Sequence, residues 1–104
     1  MNFSTILKPT GAIVTKLRNI KQDADPRIIW FIYNRASEAF GSNKEIVPTL
    51  YYQLDIYSKN DITNLSQQVI SLLMTAGYFI DYFEEGYEDT TKEFHNILRV
   101  NYSD

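Results

Sequence analysis

Few side chains in this sequence could perform acid–base or nucleophilic chemistry near neutral pH. His95 is the only histidine, cysteine is absent, and no serine lies in the glycine pattern of a nucleophile elbow. The alternating residues around His95 predict that it lies in a strand, on the face opposite Phe94 and Leu98. A histidine in such a strand is far more often solvated or hydrogen-bonded than catalytic. We therefore expect no enzyme activity, an expectation that a cavity enclosing His95 with Asp or Glu would reverse.

A run of carboxylates is the other group of residues that could hold a ligand. Its members are Asp81, Glu84, Glu85, Glu88 and Asp89. Ca²⁺ and Mg²⁺ prefer carboxylate oxygens, but the run lacks the ligand order and the central glycine of an EF-hand loop. We expect a solvated loop without a metal. The four glycines are scattered and form neither common phosphate-binding pattern, so we expect no cofactor.

Charge and composition narrow the classes of partner. The net charge is -3, so no overall positive field attracts phosphate backbones or anionic lipids, and we expect neither sequence-specific nucleic-acid binding nor membrane association. The longest apolar run, residues 28–33, is too short to span a bilayer. The absence of cysteine fits folding in a reducing cytoplasm. At 104 residues the chain predicts a single domain, residues 1–104, because two cores would each be too small.

The patterning predicts an α+β fold: an antiparallel β-sheet with a short N-terminal helix and one long amphipathic helix packed on one face. The long helix is predicted over residues 62–76, where apolar residues recur at helical spacing. Asp61 is expected to accept a hydrogen bond from a backbone N–H of its first turn. Gly77 is expected to end it with a positive φ. The short helix is predicted over residues 2–8, before Pro9 and Gly11.

Five strands are predicted around the long helix, and turns separate several of them. The strands are residues 12–20, 28–33, 50–57, 78–83 and 94–102, with polar turns at 21–26 and 40–44. The run 28–33 is apolar on both faces, which predicts a central strand. The last two strands would pair as a hairpin across the acidic loop.

Residues 50–57 show the clearest alternation and predict a strand with two different faces. Leu50, Tyr52, Leu54 and Ile56 share the core face. The opposite face mixes aromatic rings with polar groups, as protein interfaces do, and 14% of the whole chain is aromatic. We predict that this face serves assembly with other protein subunits. The candidate interface residues are Tyr51, Gln53, Asp55, Tyr57, Tyr82, Tyr87 and Arg99.

A longer pattern resembles a known class of protein. The segment LYYQLDIYSKNDITNLSQQVISLLMTAGYFI, with KEFHNILRVNY after the acidic loop, resembles the small tail-completion proteins of long-tailed bacteriophages and prophages, the tail terminator or head-tail joining family. The matching features are the aromatic strand ending at residues 55–59, the helix ending in Ala76-Gly77-aromatic, and the closing strand with Phe94-His95 and Arg99. The helix and strand before residue 50 agree in position.

The resemblance implies a non-enzymatic structural protein. Such proteins form rings, commonly hexameric, that cap the finished tail tube and provide the surface to which the DNA-filled head attaches. The implied partners are further copies of the chain, a tail-tube protein and a head-connector protein. The implied location is the host bacterial cytoplasm during assembly and then the head–tail junction of the virion. The negative charge is compatible, because a DNA conduit gains from a wall that does not hold phosphates.

Two other functions fit the same residues. A head-completion or other connector component would share the class and composition and differ in its docking partner. A small regulatory or anti-host binding module would use an aromatic, acidic surface equally well. The position of the gene inside or outside a structural cluster would separate these alternatives.

Overall fold

The computed structural model describes residues 2–17, 25–38 and 47–103. They form a mixed α/β domain with two α-helices and a six-stranded sheet. In chain order the elements are helix α1 (Phe3–Ile6), a 3₁₀ turn (Lys8–Thr10), β1 (Ile13–Lys16), β2 (Arg27–Glu38), β3 (Val47–Ser58), α2 (Thr63–Thr75), β4 (Phe79–Glu84), β5 (Tyr87–Glu88) and β6 (Glu93–Ser103). The predicted turn at 40–44, most of the turn at 21–26 and the end of the first predicted strand lie outside the described residues.

The sheet has the strand order β1-β2-β3-β6-β4, and β5 also pairs with β6. Four of its pairings are antiparallel, but β1 and β2 are parallel, so the predicted antiparallel sheet is wrong at this edge. Alternation in hydrophobicity is the same for both strand directions, and therefore the sequence pattern could not distinguish them. Residues 28–33, predicted as a central strand, lie in β2, which is an inner strand beside the edge strand β1, while β3 occupies the middle of the order.

One face of the sheet packs against both helices and forms the core. The sheet contributes Ile28, Leu54, Ile56, Leu98 and Val100, and the helical segments contribute Phe3, Leu7, Ile62, Val69 and Leu73. Fully burying side chains of this size contributes about 1.5–3 kcal/mol each. The ring of Phe3 also contacts those of Trp30, Tyr52 and Tyr78, with centroids 5.0–5.3 Å apart. The short N-terminal helix is therefore fixed to the sheet by aromatic packing.

Helix α2 lies within one residue of the predicted bounds at each end. Asp61 Oδ1 accepts hydrogen bonds from the backbone N–H of Thr63 at 2.9 Å and from its hydroxyl at 2.8 Å, as predicted for the first turn. The backbone hydrogen bond is the main reason why the pKa of Asp61 lies below its ordinary value. Gly77 follows the helix with φ 102°, which confirms the predicted left-handed end. Among the described residues, no helix has the length and apolar character needed to cross a membrane.

A polar contact inside the core joins α2 to the sheet. Asn96 of β6 donates from Nδ2 to Ser66 Oγ of α2 at 2.8 Å, and each residue is only 2% exposed. A buried amide and hydroxyl need such partners, because leaving one unsatisfied costs about 1–3 kcal/mol. This bond fixes the helix in register on the sheet.

Candidate assembly surface

The face of the sheet opposite α1 and α2, here called the outer face, carries most of the predicted interface. No helix among residues 2–17, 25–38 and 47–103 covers it. Strand pairing arranges its side chains in rows across the sheet. From one end to the other, the rows are Arg27, Tyr57 and His95; Ile29, Asp55, Ile97 and Glu84; Phe31, Gln53, Arg99 and Tyr82; and Tyr51, Asn101 and Phe79.

One end of the outer face, here called the aromatic end, presents rings to solvent. It comprises Tyr33, Tyr51, Phe79 and Tyr82. Phe79 is 66% exposed, and Tyr82 and Tyr33 are 42% and 39% exposed. Tyr33 lies where the β2–β3 register shifts between Ile32 and Asn34, and its ring lies 6.0 Å from that of Tyr51. Exposed rings of this size, grouped on one face, are a common mark of protein interfaces.

Arg99 lies between the rings of the aromatic end. Its guanidinium carbon is 5.2 Å from the ring centroid of Tyr33 and 5.3 Å from that of Tyr82, within the range of cation–π attraction. Its Nε donates to Gln53 Oε1 at 3.0 Å. The charge is therefore held in place by three neighbours while the residue stays exposed. An exposed and oriented arginine beside tyrosine rings is the composition found at the energetic centres of interfaces.

A chain of polar side chains runs from Arg99 along β3 toward the other end of the face. Gln53 donates from Nε2 to Asp55 Oδ1 at 2.9 Å. The second oxygen of Asp55 lies 3.8 Å from Nε2 of His95, which is too far for a hydrogen bond but close enough for an ion pair. His95 Nδ1 in turn lies 2.5 Å from Glu88 Oε2. Predicted interface residues thus lie in one network, which fixes the side chains that a partner would meet.

The other end of the outer face, here called the paired end, is closed by buried charges. It comprises Arg27, Tyr57, Glu88, Glu93 and His95. Arg27 binds Glu93 through both guanidinium nitrogens, at 2.6 and 3.2 Å, although 66 residues separate them in sequence. They are only 8% and 4% exposed. The hydrogen bonds from Arg27 are the main reason why the pKa of Glu93 lies below its ordinary value.

Tyr57 is packed between two cationic or ionisable side chains of the paired end. The Arg27 guanidinium carbon lies 4.2 Å from its ring centroid, and the His95 ring stacks on it at 4.2 Å. Burial, followed by the nearby charge of Asp55, raises the pKa of Tyr57 to about 12. Tyr57 therefore lies on the predicted face, but it supports the fold there as well as facing outward.

His95 has two carboxylate neighbours, Asp55 and Glu88, and its ring stacks on that of Tyr57. Asp55 raises its pKa most, burial opposes this, and Glu88 raises it further. His95 lines neither the cavity beside Tyr87 nor the groove along β1. Because Glu88 belongs to β5, its contact with His95 of β6 fixes β5 against the sheet.

Tyr87 is the predicted interface residue that does not join the others. It is 50% exposed, and its ring meets that of Phe94 at 5.1 Å on the helix side of the sheet. There it lines a cavity of about 360 Å³ with Glu85, Asp61 and others. Tyr51, Gln53, Asp55, Tyr57, Tyr82 and Arg99 lie together on the outer face.

The acidic run does not gather into one cluster. The carboxylate of Asp81 accepts a hydrogen bond from Asn101, and that of Glu84 accepts one from the Tyr82 hydroxyl. Glu88 is paired with His95. Among the described residues, no group of three or more His, Asp or Glu could hold a metal ion.

Sequence reasoning did not select several residues that organise this face. Arg27 and Glu93 begin their strands, and only the pairing of β2, β3 and β6 brings them together. The sequence signal is a charged residue at the first position of each strand. Phe79 is predicted in a strand but not as an exposed ring, and Tyr33 lies at the end of the predicted strand 28–33 without being singled out as an interface residue.

Comparison with known proteins gives a fold relative but no sequence relative. No family model matches the chain, and no curated protein sequence matches it. A chain from a solved structure titled "Virion of native gene transfer agent (GTA) particle" has a similar fold, with a TM-score of 0.66. The likeness covers 96% of this chain and 84% of that chain, at 6% sequence identity. The protein therefore shares its fold, over nearly its whole length, with a component of a virion particle.

Proposed function

We propose that the protein is a structural component of a phage-like particle and acts as a tail-completion protein. In this role the protein has no enzyme activity. It assembles as a ring that caps the tail tube and joins the tube to the head connector. The observation that carries the proposal is the likeness in fold to a chain of a virion particle, which covers 96% of this chain and 84% of that chain. The sequence resemblance of residues 50–102 to tail-completion proteins supports the same assignment.

The two faces of the sheet support a role in assembly. In the proposal, α2 is the amphipathic helix that builds the core on one face, and the outer face docks on another subunit. The aromatic end would supply the buried area, and the Arg99–Gln53–Asp55 network would fix the register. Residues of this network are already oriented in the free chain, so little side-chain freedom would be lost on docking.

The test is cosedimentation of the purified protein with assembled tail tubes. The wild-type chain should sediment with the tubes, and a variant with Tyr51→Ser and Tyr82→Ser should lose most of this binding. Tyr57 is left intact because it also packs against Arg27 and His95. Met74→Ser is the matched control, since Met74 is a 59% exposed apolar residue on α2 and should bind like the wild type.

Three outcomes separate the proposal from its alternatives. Binding to tubes that needs Tyr51 and Tyr82 supports tail completion. Binding to isolated head-connector rings but not to tubes would replace the proposal with a head-completion role. Failure to bind either assembly would reject a place at the head–tail junction and favour a regulatory binding module.

A further inference from the structure

The two edges of the sheet carry opposite charges. Residues 2–17, which include edge strand β1, contain Lys8 and Lys16 and no carboxylate. Residues 79–89, which include β4 and β5 at the other edge, contain all members of the acidic run and no Lys or Arg. Lys8, Lys16, Asp81, Glu84 and Glu85 are exposed. Among the described residues, β1 pairs only with β2 and β4 pairs only with β6. Each of these edge strands therefore presents unpaired backbone groups on its outer side.

The two edges also run in opposite directions. β1 is parallel to β2, and the three successive antiparallel pairings from β2 to β4 reverse the direction three times. If two copies lie side by side without inversion, β4 of one is therefore antiparallel to β1 of the next. This is the direction in which short strands pair best.

The two edge strands, β1 and β4, share the same rows of paired residues across the sheet. Thr15, Ile29, Asp55, Ile97 and Glu84 form one row that crosses all five strands from edge to edge. On the helix side, the next row starts at Lys16 and ends at Phe83. Side-by-side copies would thus bring Thr15 next to Glu84 of the neighbouring copy. Lys16 would come within diagonal reach of Glu85.

The β1 edge has a groove at the point where the opposite edge carries Tyr87. The groove is shallow, has a volume of about 390 Å³, and is lined by Ser4, Lys8, Gly11, Ala12, Ile13 and Val14. Continuing the rows places Glu85 and Tyr87 of the neighbouring copy opposite this lining. Tyr87 offers a half-exposed ring to Ala12 and Val14, and Glu85 offers a carboxylate to Lys8. The predicted interface residue that does not lie on the outer face thus has a place in this contact.

We propose that copies of this chain associate head to tail, with β1 of one copy pairing antiparallel with β4 of the next. This pairing rests on the proposed function in one respect: it is the contact between neighbouring copies in the proposed ring. A contact between two different surfaces of the same chain generates rings when its rotation closes. Pairing of β1 with β1, or of β4 with β4, would bring like charges together and is disfavoured. Since β1 has only four residues, each contact is small and gains from ring closure.

Engineered cysteines test the pairing directly, because the chain has none of its own. The variants Thr15→Cys and Glu84→Cys are purified separately, mixed at high concentration and oxidised. Within one chain the two positions are roughly 19 Å apart, four strand spacings, so a disulfide can form only between copies. The heterodimer should form faster than either homodimer. A mixture of Ile13→Cys and Glu84→Cys covers a register shifted by two residues.

Charge reversal tests what drives the contact. Adding Lys16→Glu to the Thr15→Cys chain should lower the heterodimer yield roughly threefold or more, and adding Glu85→Lys to its partner should restore it. Lys59→Glu, an exposed site at the end of β3, is the control and should leave the yield unchanged.

The outcomes decide the proposal separately from the function. Equal or faster homodimer formation, or no heterodimer in either register, overturns the head-to-tail pairing. If the chain still binds tail tubes in that case, the proposed function stands and only the self-contact is wrong. If the heterodimer forms but the chain does not bind tail tubes, the head-to-tail pairing stands and the proposed function is wrong.

Discussion

The two ends of the outer face invert the usual relation between polarity and burial. At the paired end, Arg27 and Glu93 are charged and less than a tenth exposed, whereas at the aromatic end Phe79 is apolar and 66% exposed. Both ends lie on the same face and are built from neighbouring strands with the same alternation. The difference shows that one face can stabilise the fold at one end while keeping apolar area available for a partner at the other.

The physical reason lies in what each end has for neighbours. A buried guanidinium is tolerable only with a partner that satisfies it, and the bidentate contact with Glu93 supplies one. The rings of Tyr33 and Tyr82 have Arg99 between them and remain 39% and 42% exposed. Binding of a partner would bury the exposed rings of the aromatic end, whereas Arg27 and Glu93 of the paired end are already buried.

Removing one member of the buried ion pair should have the largest effect. Glu93→Ala leaves the Arg27 charge buried without its main partner and should lower the free energy of unfolding by about 3–5 kcal/mol. Phe79→Ala, at the aromatic end, should change it by less than about 0.5 kcal/mol, because Phe79 is mostly exposed. Urea denaturation followed by far-UV circular dichroism measures both.

The paired replacement Arg27→Met with Glu93→Leu is the control for this comparison. It removes both charges and keeps the volume, so much of the lost stability should return. Equal losses for Glu93→Ala and Phe79→Ala would show that the two ends do not differ as the structure indicates.

The sequence predicts those features of the fold that depend on neighbouring residues in the chain, such as the facing of side chains in a strand and the end of a helix. Alternation in β3 correctly separated Leu54 and Ile56 from Gln53 and Asp55, because facing depends only on a period of two. The end of α2 was equally local, since Gly77 needs no distant neighbour to favour a positive φ.

The rest depended on contacts between residues distant in sequence. Arg27 meets Glu93 across two intervening pairings, and no local pattern of either residue contains the other. Asn96 falls on the core face, where a polar residue looks unfavourable until Ser66 is known to lie against it. Tyr33 shares the facing of Ile29 and Phe31, but the register shift beside it, which places Asn34 opposite Tyr51, is not visible in the alternation.

Tyr57 and Tyr51 provide an intermediate test within one strand. Tyr57→Leu removes the ring that stacks on His95 and lies under the Arg27 guanidinium, and should lower the free energy of unfolding by roughly 0.5–2 kcal/mol. Tyr51→Leu, six residues earlier on the same face, should have a smaller effect. Thermal unfolding of the two variants under identical buffer gives the comparison, and a larger loss at Tyr51 would contradict it.

The smallest effect concerns pH at the paired end. The pKa of His95 is raised above its ordinary value of 6.5 in the folded chain, mainly by Asp55 and then by Glu88. Its contribution to stability is therefore complete below pH 6.5 and is lost as the pH rises through the folded pKa. Because the histidine is half-buried, this contribution should stay below about 1 kcal/mol.

Two neighbours of His95 in the paired end, Glu93 and Tyr57, do not contribute to this dependence. The pKa of Glu93 is lowered, so its contribution is lost only in acid, and the pKa of Tyr57 is raised to about 12. Wild-type stability should therefore fall slightly between pH 6 and 9, and His95→Gln should flatten the curve. Glu88→Gln should weaken the dependence less, because Asp55 remains. Stability that rises over this interval would mean that burial outweighs both carboxylates, and that His95 is neutral in the folded chain.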